Sequence, residues 1–490
     1  MSTPTFAVVG AVNPGKSSIV ATLAENDRVR VSPVPGETAD CERFALDDLF
    51  IFFDTPGFQN APEALAELES ARNAKDPLAV FREFIARHRG ERAFDAECRL
   101  LERIVAGAGI IYVVDGSRPM REINLAEMEI LRLTGQPRVA VINRTSAADH
   151  VADWKSRLDQ HFKIVWELNA QRASFEDRLA LLDALAGLDQ AWAPNIRKAV
   201  QILREDRVQK IEECAEIIAE MLCRCLEHRE TSADDTTTPT RRERLEAELK
   251  DAYRRTIAAE ESNAHRQLIE KFKHHLVGAD ADHLLDTGLF SEDTWRMLGL
   301  STTQLAVVSG LAGGGAGVAI DVLVGGHSLG LGALIGGAIG AGGALIVGKT
   351  QPDLAVDVPL RSKWVPEFAR RILPEKIRQP VSGRARVVWC AALDFPWILL
   401  DRAIGTYAYV SQRPHARRDH VTLRAAALKS ILNAHGVSSE QLSDRACDKI
   451  FAAIRAGKVT PGQRSALRAK IREWLGKVGS EQIDFRAAES

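Results

Sequence analysis

Residues 5–24 read TFAVVGAVNPGKSSIVATLA, and this stretch decides the fold of the N-terminal part of the chain. Within it, Gly10, Gly15, Lys16 and Ser17 fit the spacing G-x-x-x-x-G-K-[ST]. The apolar run before Gly10 has the length of a strand, and Ser17–Leu23 opens a helix. A strand that turns into a helix through glycines wraps its backbone N–H groups around a phosphate chain, and the helix N-terminus adds positive partial charge. Lys16 is placed to reach β- and γ-phosphates, and the Ser17 hydroxyl to ligate Mg2+. Gly10, Asn13, Pro14, Gly15 and Ser18 complete the loop.

Two further segments follow in the order this chemistry needs. Asp54-Thr-Pro-Gly57 comes directly after the apolar run Leu49–Phe53. A carboxylate at a strand's C-terminal end supports a magnesium ion, and the Gly57 N–H is placed to contact a γ-phosphate. Between them, Pro35-Gly-Glu-Thr38 offers a threonine in a loop that caps Mg2+ only when the γ-phosphate is present. Candidate strands at Thr5–Val9, Leu49–Phe53, Ile110–Val114, Arg138–Ile142 and Lys163–Leu168 alternate with helical patterns. That is the signature of a mainly parallel α/β sheet, here an α/β P-loop NTPase domain over residues 1–188. Glu42–Leu46 reads as a short antiparallel strand, and the charged stretch 59–103 as a helical insertion.

The order GxxNxGKS, PGxT, DTPG resembles the Era-like GTPases, including the branch of the tRNA-modification GTPase. The resemblance covers about the first 175 residues. The later half looks like a bacterial group in which such a G domain carries a long C-terminal domain of uncharacterised function. The resemblance implies GTP and GDP as ligands, Mg2+ as cofactor, and slow intrinsic hydrolysis with Lys16, Thr38 and Gly57 at the reacting phosphate.

Two departures bear on the chemistry. The family's guanine-reading motif is N-K-x-D, whereas strand Arg138–Ile142 runs here into Asn143-Arg144-Thr145-Ser146. Asn143 is expected at the base edge and the Arg144 stem over the ring. The carboxylate that pairs with guanine is replaced by Ser146, a weaker neutral acceptor. Asn169-Ala170 stands where the family's S-A-K loop would be, with the Ala170 N–H directed at the base. GTP is the first expectation, and ATP or mixed use the alternative. The second departure is Phe58, which stands where the Ras group carries a water-positioning Gln. The resemblance to potassium-dependent members implies that Asn13 holds a K+ ion and that G domains self-associate as a homodimer; otherwise Asn13 is a turn residue.

Composition bounds the rest. The 490 residues exceed one ordinary domain, and 46% hydrophobic with 27% charged content is globular. A net charge of −2 supplies no overall field for nucleic acid. Seven scattered cysteines read as free thiols in a reducing compartment. The polar start, Met1–Thr5, reads as no signal peptide.

From about residue 189 the pattern turns helical. Ile196, Val200, Leu203, Ile211, Cys214, Ile218, Leu222 and Cys225 form one apolar stripe. A polar linker or hairpin loop at 231–240 precedes a second long helical pattern, which suggests an antiparallel helical stalk over 189–300. Residues 351–490 read as further helices, among them the apolar run Val387–Leu400, interrupted by Asp394 and Pro396. Between lies a Gly-rich hydrophobic hairpin, 301–350. Over Leu305–Gly348 the only formal charge is Asp321, and Gly332, Gly336 and Gly340 are spaced by four. Each interior Gly costs a helix in water roughly 1 kcal/mol against Ala. In hydrocarbon the backbone must satisfy itself, so helix is enforced. The expectation is a hairpin that contacts membrane lipid from the cytoplasmic side; the alternative is a hairpin or apolar loop inside the C-terminal domain.

These readings combine into a membrane-associated nucleotide switch. Its rivals are a soluble RNA- or ribosome-associated GTPase, which calls for a compact basic module, and an interaction protein that holds nucleotide with little hydrolysis. Cys223 and Cys225 with His228 read as structural, because residues two apart on a helix point to different faces. The basic run Arg464–Arg472 reads as a solvated helix face.

Overall fold

The computed structural model describes residues 3–10, 15–24, 42–46, 49–71, 76–144, 150–170, 172–232, 238–272, 285, 288–298, 354–357, 386–390, 392–413, 423–442 and 445–478. Asn13, Pro14, Thr38, Ser146 and the Gly-rich segment 305–348 lie outside them. The chain divides into two compact units, the first holding residues 1–208 and the second most of the remainder.

The first unit is a six-stranded sheet: β1 (Thr5–Val9), β2 (Glu42–Leu46), β3 (Phe50–Asp54), β4 (Gly109–Asp115), β5 (Arg138–Asn143) and β6 (Ile164–Leu168), in the order β2-β3-β1-β4-β5-β6. Only β2 runs antiparallel, against β3. Side chains of a strand alternate between faces. Phe6, Val8, Ile111, Val113, Val139 and Val141 accordingly enter one core, while Ala7, Val9, Ile110, Tyr112, Ala140 and Ile142 enter another. With both faces covered, the central strands are apolar nearly throughout, as parallel sheets require.

Helices supply the covers. α1 (Lys16–Ala24), α7 (Phe175–Ala186) and the start of α8 (Ala193–Glu227) lie over the first core through Ile19, Leu182 and Ile196. On the second core lie α2 (Ala61–Ser70), α3 (Pro77–His88), α4 (Asp95–Val105), α5 (Glu122–Leu133) and α6 (Val151–Leu158). The segment between β3 and β4 is thus three helices whose apolar sides, including Leu68, Phe84 and Leu101, belong to the sheet's own core.

The second unit is mostly helical. α8 and α9 (Pro239–Lys271) are linked by Glu213–Lys271 and Arg224–Glu260 ion pairs. As one index rises by eleven the other falls by eleven, so the two helices are antiparallel. They form a wall of a larger core, with Tyr253, Ile257 and Leu268 packed in the same cluster as Trp397, Tyr407 and Tyr409. At its centre is the helix Phe395–Gln412, buried on all sides from Phe395 to Val410. A helix buried all round belongs inside a core, and its Asp401 and Arg402 are hydrogen-bonded there, to Ser439 and Glu261.

Two expectations are corrected here. The run Val387–Leu400 is not one helix: Arg386–Cys390 is strand β9, and the helix starts only at Phe395, with Pro396 in its first turn. Val387, Val388 and Trp389 are β-branched or aromatic, and cross-strand packing decides their state. Residues 231–240 are not wholly linker, because β7 (Glu230–Ser232) pairs with β9, which also pairs with β8 (Leu354–Asp357). The basic face of Pro461–Lys477 meets α8, with Arg464 on Glu227, Arg468 on Glu212 and Glu216, and Arg472 on Glu212. Those arginines neutralise a neighbouring helix.

Among the described residues, no helix is long and apolar enough to cross a membrane, and six cysteines, Cys223 and Cys225 included, are buried free thiols.

Candidate functional site

The site forms where β1 and β3, adjacent and parallel, end. From β1 the chain proceeds to β3 on one side and afterwards to β4 on the other, so this is the switch point at which α/β sheets open a crevice. Gly10 closes β1 with φ +151°, and Gly15 precedes α1 with φ +90°. A Cβ on Gly15 would stand 2.2 Å from Asn143 Nδ2, so sterics and backbone both require glycine there.

Lys16 opens α1 and is 8% exposed. Its Nζ donates to the Gly10 carbonyl at 3.2 Å. Burial pushes the ammonium's pKa down to about 8, against the opposing pull of Asp54 and Glu127. The Ser17 hydroxyl donates to Asp54 Oδ2 at 2.6 Å. Asp54 ends β3 and is 2% exposed. The sequence segments 10–17 and 54–57 are thus brought into contact. Thr55 Oγ1 ties the second segment to β1 by donating to Val8 O at 2.6 Å.

After buried Gly57, Phe58 turns into the core beneath α2 and α3 and takes no part in the cradle. Ser18 is buried, and Thr22 Oγ1 lies 2.8 Å from its carbonyl oxygen and 3.1 Å from that of Ala170.

The structure brings Asn143 and Ala170 into direct contact. Asn143 ends β5, is 2% exposed, and accepts the Ala170 N–H on Oδ1 at 3.1 Å. Both groups expected at the base edge therefore meet each other. A buried N–H must find an acceptor, and Asn143 supplies it while packing against Gly15. Asn143 is the joint of three loops. Arg144 is half exposed, with Nη1 3.8 Å from Glu167 Oε2. The Asn169 carbonyl accepts from the Arg172 N–H at 2.9 Å.

A hydroxyl and a carboxylate held together at a helix N-terminus suit a hard, oxygen-seeking cation. Mg2+ takes few protein ligands and completes its shell with water and phosphate. Among the described residues, no group of three or more His, Cys, Asp or Glu could hold a metal ion.

Sequence reasoning missed two buried carboxylates. Glu127 lies on the apolar stripe Asn124, Glu127, Met128, Leu131, and accepts from Tyr112 OH at 2.5 Å and Asn124 Nδ2 at 3.1 Å. An acidic residue at a core-facing helical position was the available signal. Glu97 takes the N–H groups of Gln59 and Asn60 at 2.7 and 2.6 Å. Nothing in its spacing separates it from the other acids of 59–103.

Comparison with known families also finds two parts, with a boundary at 144–155, ahead of residue 208 where the first unit's main stretch ends. The family model described as "50S ribosome-binding GTPase" matches residues 5–144. The model described as "Domain of unknown function (DUF3482)" matches residues 155–473, well over half of the 490. The chain belongs to the DUF3482 family. This member carries a GTPase-type G domain ahead of its mostly helical region. It is 28% identical over 174 residues to a probable GTP-binding protein EngB of Dechloromonas aromatica, covering 35% of this chain and 64% of that protein. It is 43% identical over 67 residues to GTPase Der of Rhodopirellula baltica, covering 13% of this chain and 15% of Der. A crystal structure of Aquifex aeolicus Era bound to GDP.AlF4- aligns over 35% of this chain and 52% of that one, at 17% identity and a TM-score of 0.24. The DUF3482-family chain thus spans less than two thirds of the length of these relatives.

Proposed function

We propose that this chain binds GTP and GDP with Mg2+ and hydrolyses GTP slowly, as a nucleotide switch that acts at the cytoplasmic side of a membrane. The observation that carries the nucleotide reading is the contact of Ser17 Oγ with Asp54 Oδ2 beside buried Lys16. Lys16 neutralises phosphate charge, Gly10, Gly15 and Ser18 shape the loop, and Gly57 with Thr38 meets the terminal phosphate. Mg2+, when bound, offsets the phosphate charge. Relaxed base choice is part of the proposal, because Asn143 and Ala170 N–H are engaged with one another.

The finer parts rest on sequence. Asn13 supports assistance by K+ and by G-domain self-association. The apolar, Gly-spaced composition of 305–348 supports lipid contact. A ribosome-associated role is favoured by one observation, the description of the family model that matches residues 5–144. Against it stands the pairing of Arg464, Arg468 and Arg472 with glutamates of α8.

Titration of the full chain with fluorescent GTP, GDP and ATP analogues in Mg2+ tests the core claim. Lys16→Ala should weaken binding at least about a hundredfold, in keeping with the loss of a buried charge contact. Equal retention by wild type and variant would end the nucleotide reading. Turnover in KCl against NaCl tests Asn13. Carbonate washing of membranes against ribosome co-sedimentation separates the two settings.

A further inference from the structure

The loop that begins at Asp54 is gripped on both shoulders by one helix outside the phosphate cradle. That helix is α4. Fully buried Glu97 receives the N–H groups of Gln59 and Asn60 on a single oxygen. Six residues further along, the Arg103 guanidinium lies over the Phe53 ring, 4.5 Å from its centroid. Phe53 immediately precedes Asp54, and Gln59 immediately follows Phe58, so α4 touches the chain just before and just after the segment 54–58. Asn60 adds a third tie, from Nδ2 to Ala93 O at 2.5 Å.

Two consecutive amides converge on one carboxylate oxygen only when the backbone turns there. Such charge-assisted bonds are about twice as strong as neutral ones. The other oxygen, Oε2, is buried with no hydrogen-bond partner among the described residues. A half-satisfied buried carboxylate is costly, and helix packing alone gives no reason for an acid at this position. At the opposite end, Asp54 is fixed to Ser17 and Thr55 to Val8. Gly57 lies three residues from Asp54, a reach of at most about 10 Å. With both ends tied, its N–H has little freedom.

We propose that Glu97 is a positioning residue for the terminal phosphate: by tying Gln59 and Asn60 to α4 it sets where the Gly57 N–H stands, and thereby the preference for nucleoside triphosphate over diphosphate. This rests on the nucleotide reading above. Lys16 reaches the β-phosphate of either nucleotide as well as the γ-phosphate, whereas the Gly57 N–H meets the γ-phosphate alone, so only the triphosphate senses the loop. The helices between β3 and β4 then become a handle on the switch, and whatever displaces α4 alters nucleotide state.

The test compares wild type, Glu97→Ala, Glu97→Gln and, as a control on the same helix, the half-exposed Glu102→Ala. Each is titrated with GDP and a non-hydrolysable GTP analogue, and kcat and KM for GTP are measured. Glu97→Ala should lose about tenfold in affinity for the GTP analogue relative to GDP, the scale of a lost charge-assisted bond. GDP affinity should stay within about twofold, kcat should fall, and the Gln59 and Asn60 amides should exchange faster with solvent. Glu97→Gln keeps a neutral acceptor and should restore part of the preference, and if the alanine variant does not fold it alone carries the test, with a smaller shift in the same direction. Glu102→Ala should match wild type. An unchanged GTP-to-GDP ratio, or equal loss of both in folded protein, overturns the role of Glu97 alone. Wild type that binds neither nucleotide overturns the nucleotide reading, and this inference with it.

Discussion

Each unit of this molecule buries a cation beside a carboxylate, in opposite surroundings. In the first unit, Lys16 and Asp54 sit at chain reversals, at a helix start and a strand end, where glycine backbone opens the structure. In the second, Arg402 and Glu261 lie mid-helix and mid-core: Arg402 Nε and Nη2 donate to Glu261 at 2.5 and 3.1 Å, and Nη1 reaches Thr294 Oγ1 at 3.5 Å. Their side chains are 5% and 6% exposed. Burial pushes the pKa of His265, one turn along from Glu261, down to about 4 against the pull of that carboxylate. The first pair is arranged for something to enter; the second is sealed between helices and joins α9 to Phe395–Gln412. Buried charge alone therefore does not mark a binding site. Its position relative to backbone ends does.

The largest expected effect breaks the sealed pair. Glu261→Ala leaves Arg402 charged and without its bidentate partner inside the core, and should cost about 3–5 kcal/mol in urea unfolding of the full chain. Replacing both, as Glu261→Leu with Arg402→Met, should recover most of that loss, since isosteric apolar groups need no desolvation. Lys16→Met should instead leave stability within about 1 kcal/mol while abolishing nucleotide binding, as residues held for function often oppose stability. If Lys16→Met and Glu261→Ala destabilised equally, the contrast between an open and a sealed pair would be lost.

A second, smaller effect sharpens the account of the open site. Gly15→Ala forces an L side chain into φ +90° and drives Cβ against Asn143 Nδ2. Left-handed backbone costs roughly 1–2 kcal/mol for such a residue. Displacing Asn143 also strips the Ala170 N–H of its acceptor, a further ~1 kcal/mol. A total of about 2–3 kcal/mol is expected, read from urea midpoints. Gly15→Ala with Asn143→Ala should remove the clash and keep the backbone cost, so a double variant as stable as wild type would show that φ is not the constraint.

How much of this was legible depended on whether local rules carried the information. The motif at 10–17 needs only a strand, glycines and a helix start, all local, and the strands fell within a residue or two of their expected ends. Asp54 was placed by the same logic. For Asn143 the sequence shows its type and strand position but not its bond to Ala170, which joins loops 27 residues apart. Glu97 was invisible for the same reason, since its partners lie 37 and 38 residues away. In the second unit, helical periodicity found α8 and α9. Arg386–Cys390 was absorbed into a helix because a short apolar run has no period to read, and only pairing with β7 and β8 makes it a strand.

The smallest expected effect sets one histidine of each unit against the other. His88 ends α3 between the rings of Phe84 and Phe94, with centroids 4.6 Å away in both cases. Its Nε2 lies 2.8 Å from Glu67 Oε2 and its Nδ1 2.6 Å from Glu91 Oε2. Burial presses its pKa down, but hydrogen bonds to Glu91 and Glu67 outweigh it, and the net shift is upward from 6.5. Both ring nitrogens can donate only in the imidazolium, so the charged form holds α2 and the turn after α3 together. The stability this contributes is fully present below pH 6.5 and is lost as pH rises through the raised value. His265 works with the other sign: its pKa is lowered, so its own contribution to stability is lost as pH falls from 6.5 toward 4. Burial raises the pKa of Asp394 to about 6 and that of Asp401 to about 7 in the same unit, which opposes that contribution. Each histidine is therefore read by difference from its Gln variant in hydrogen exchange: His88 should account for a loss in the first unit on the alkaline side, and His265 for a loss in the second on the acid side. His88→Gln should flatten the first trend and leave the second untouched. A pH profile of the first unit indifferent to His88→Gln would mean that the carboxylates around the ring do not hold it charged.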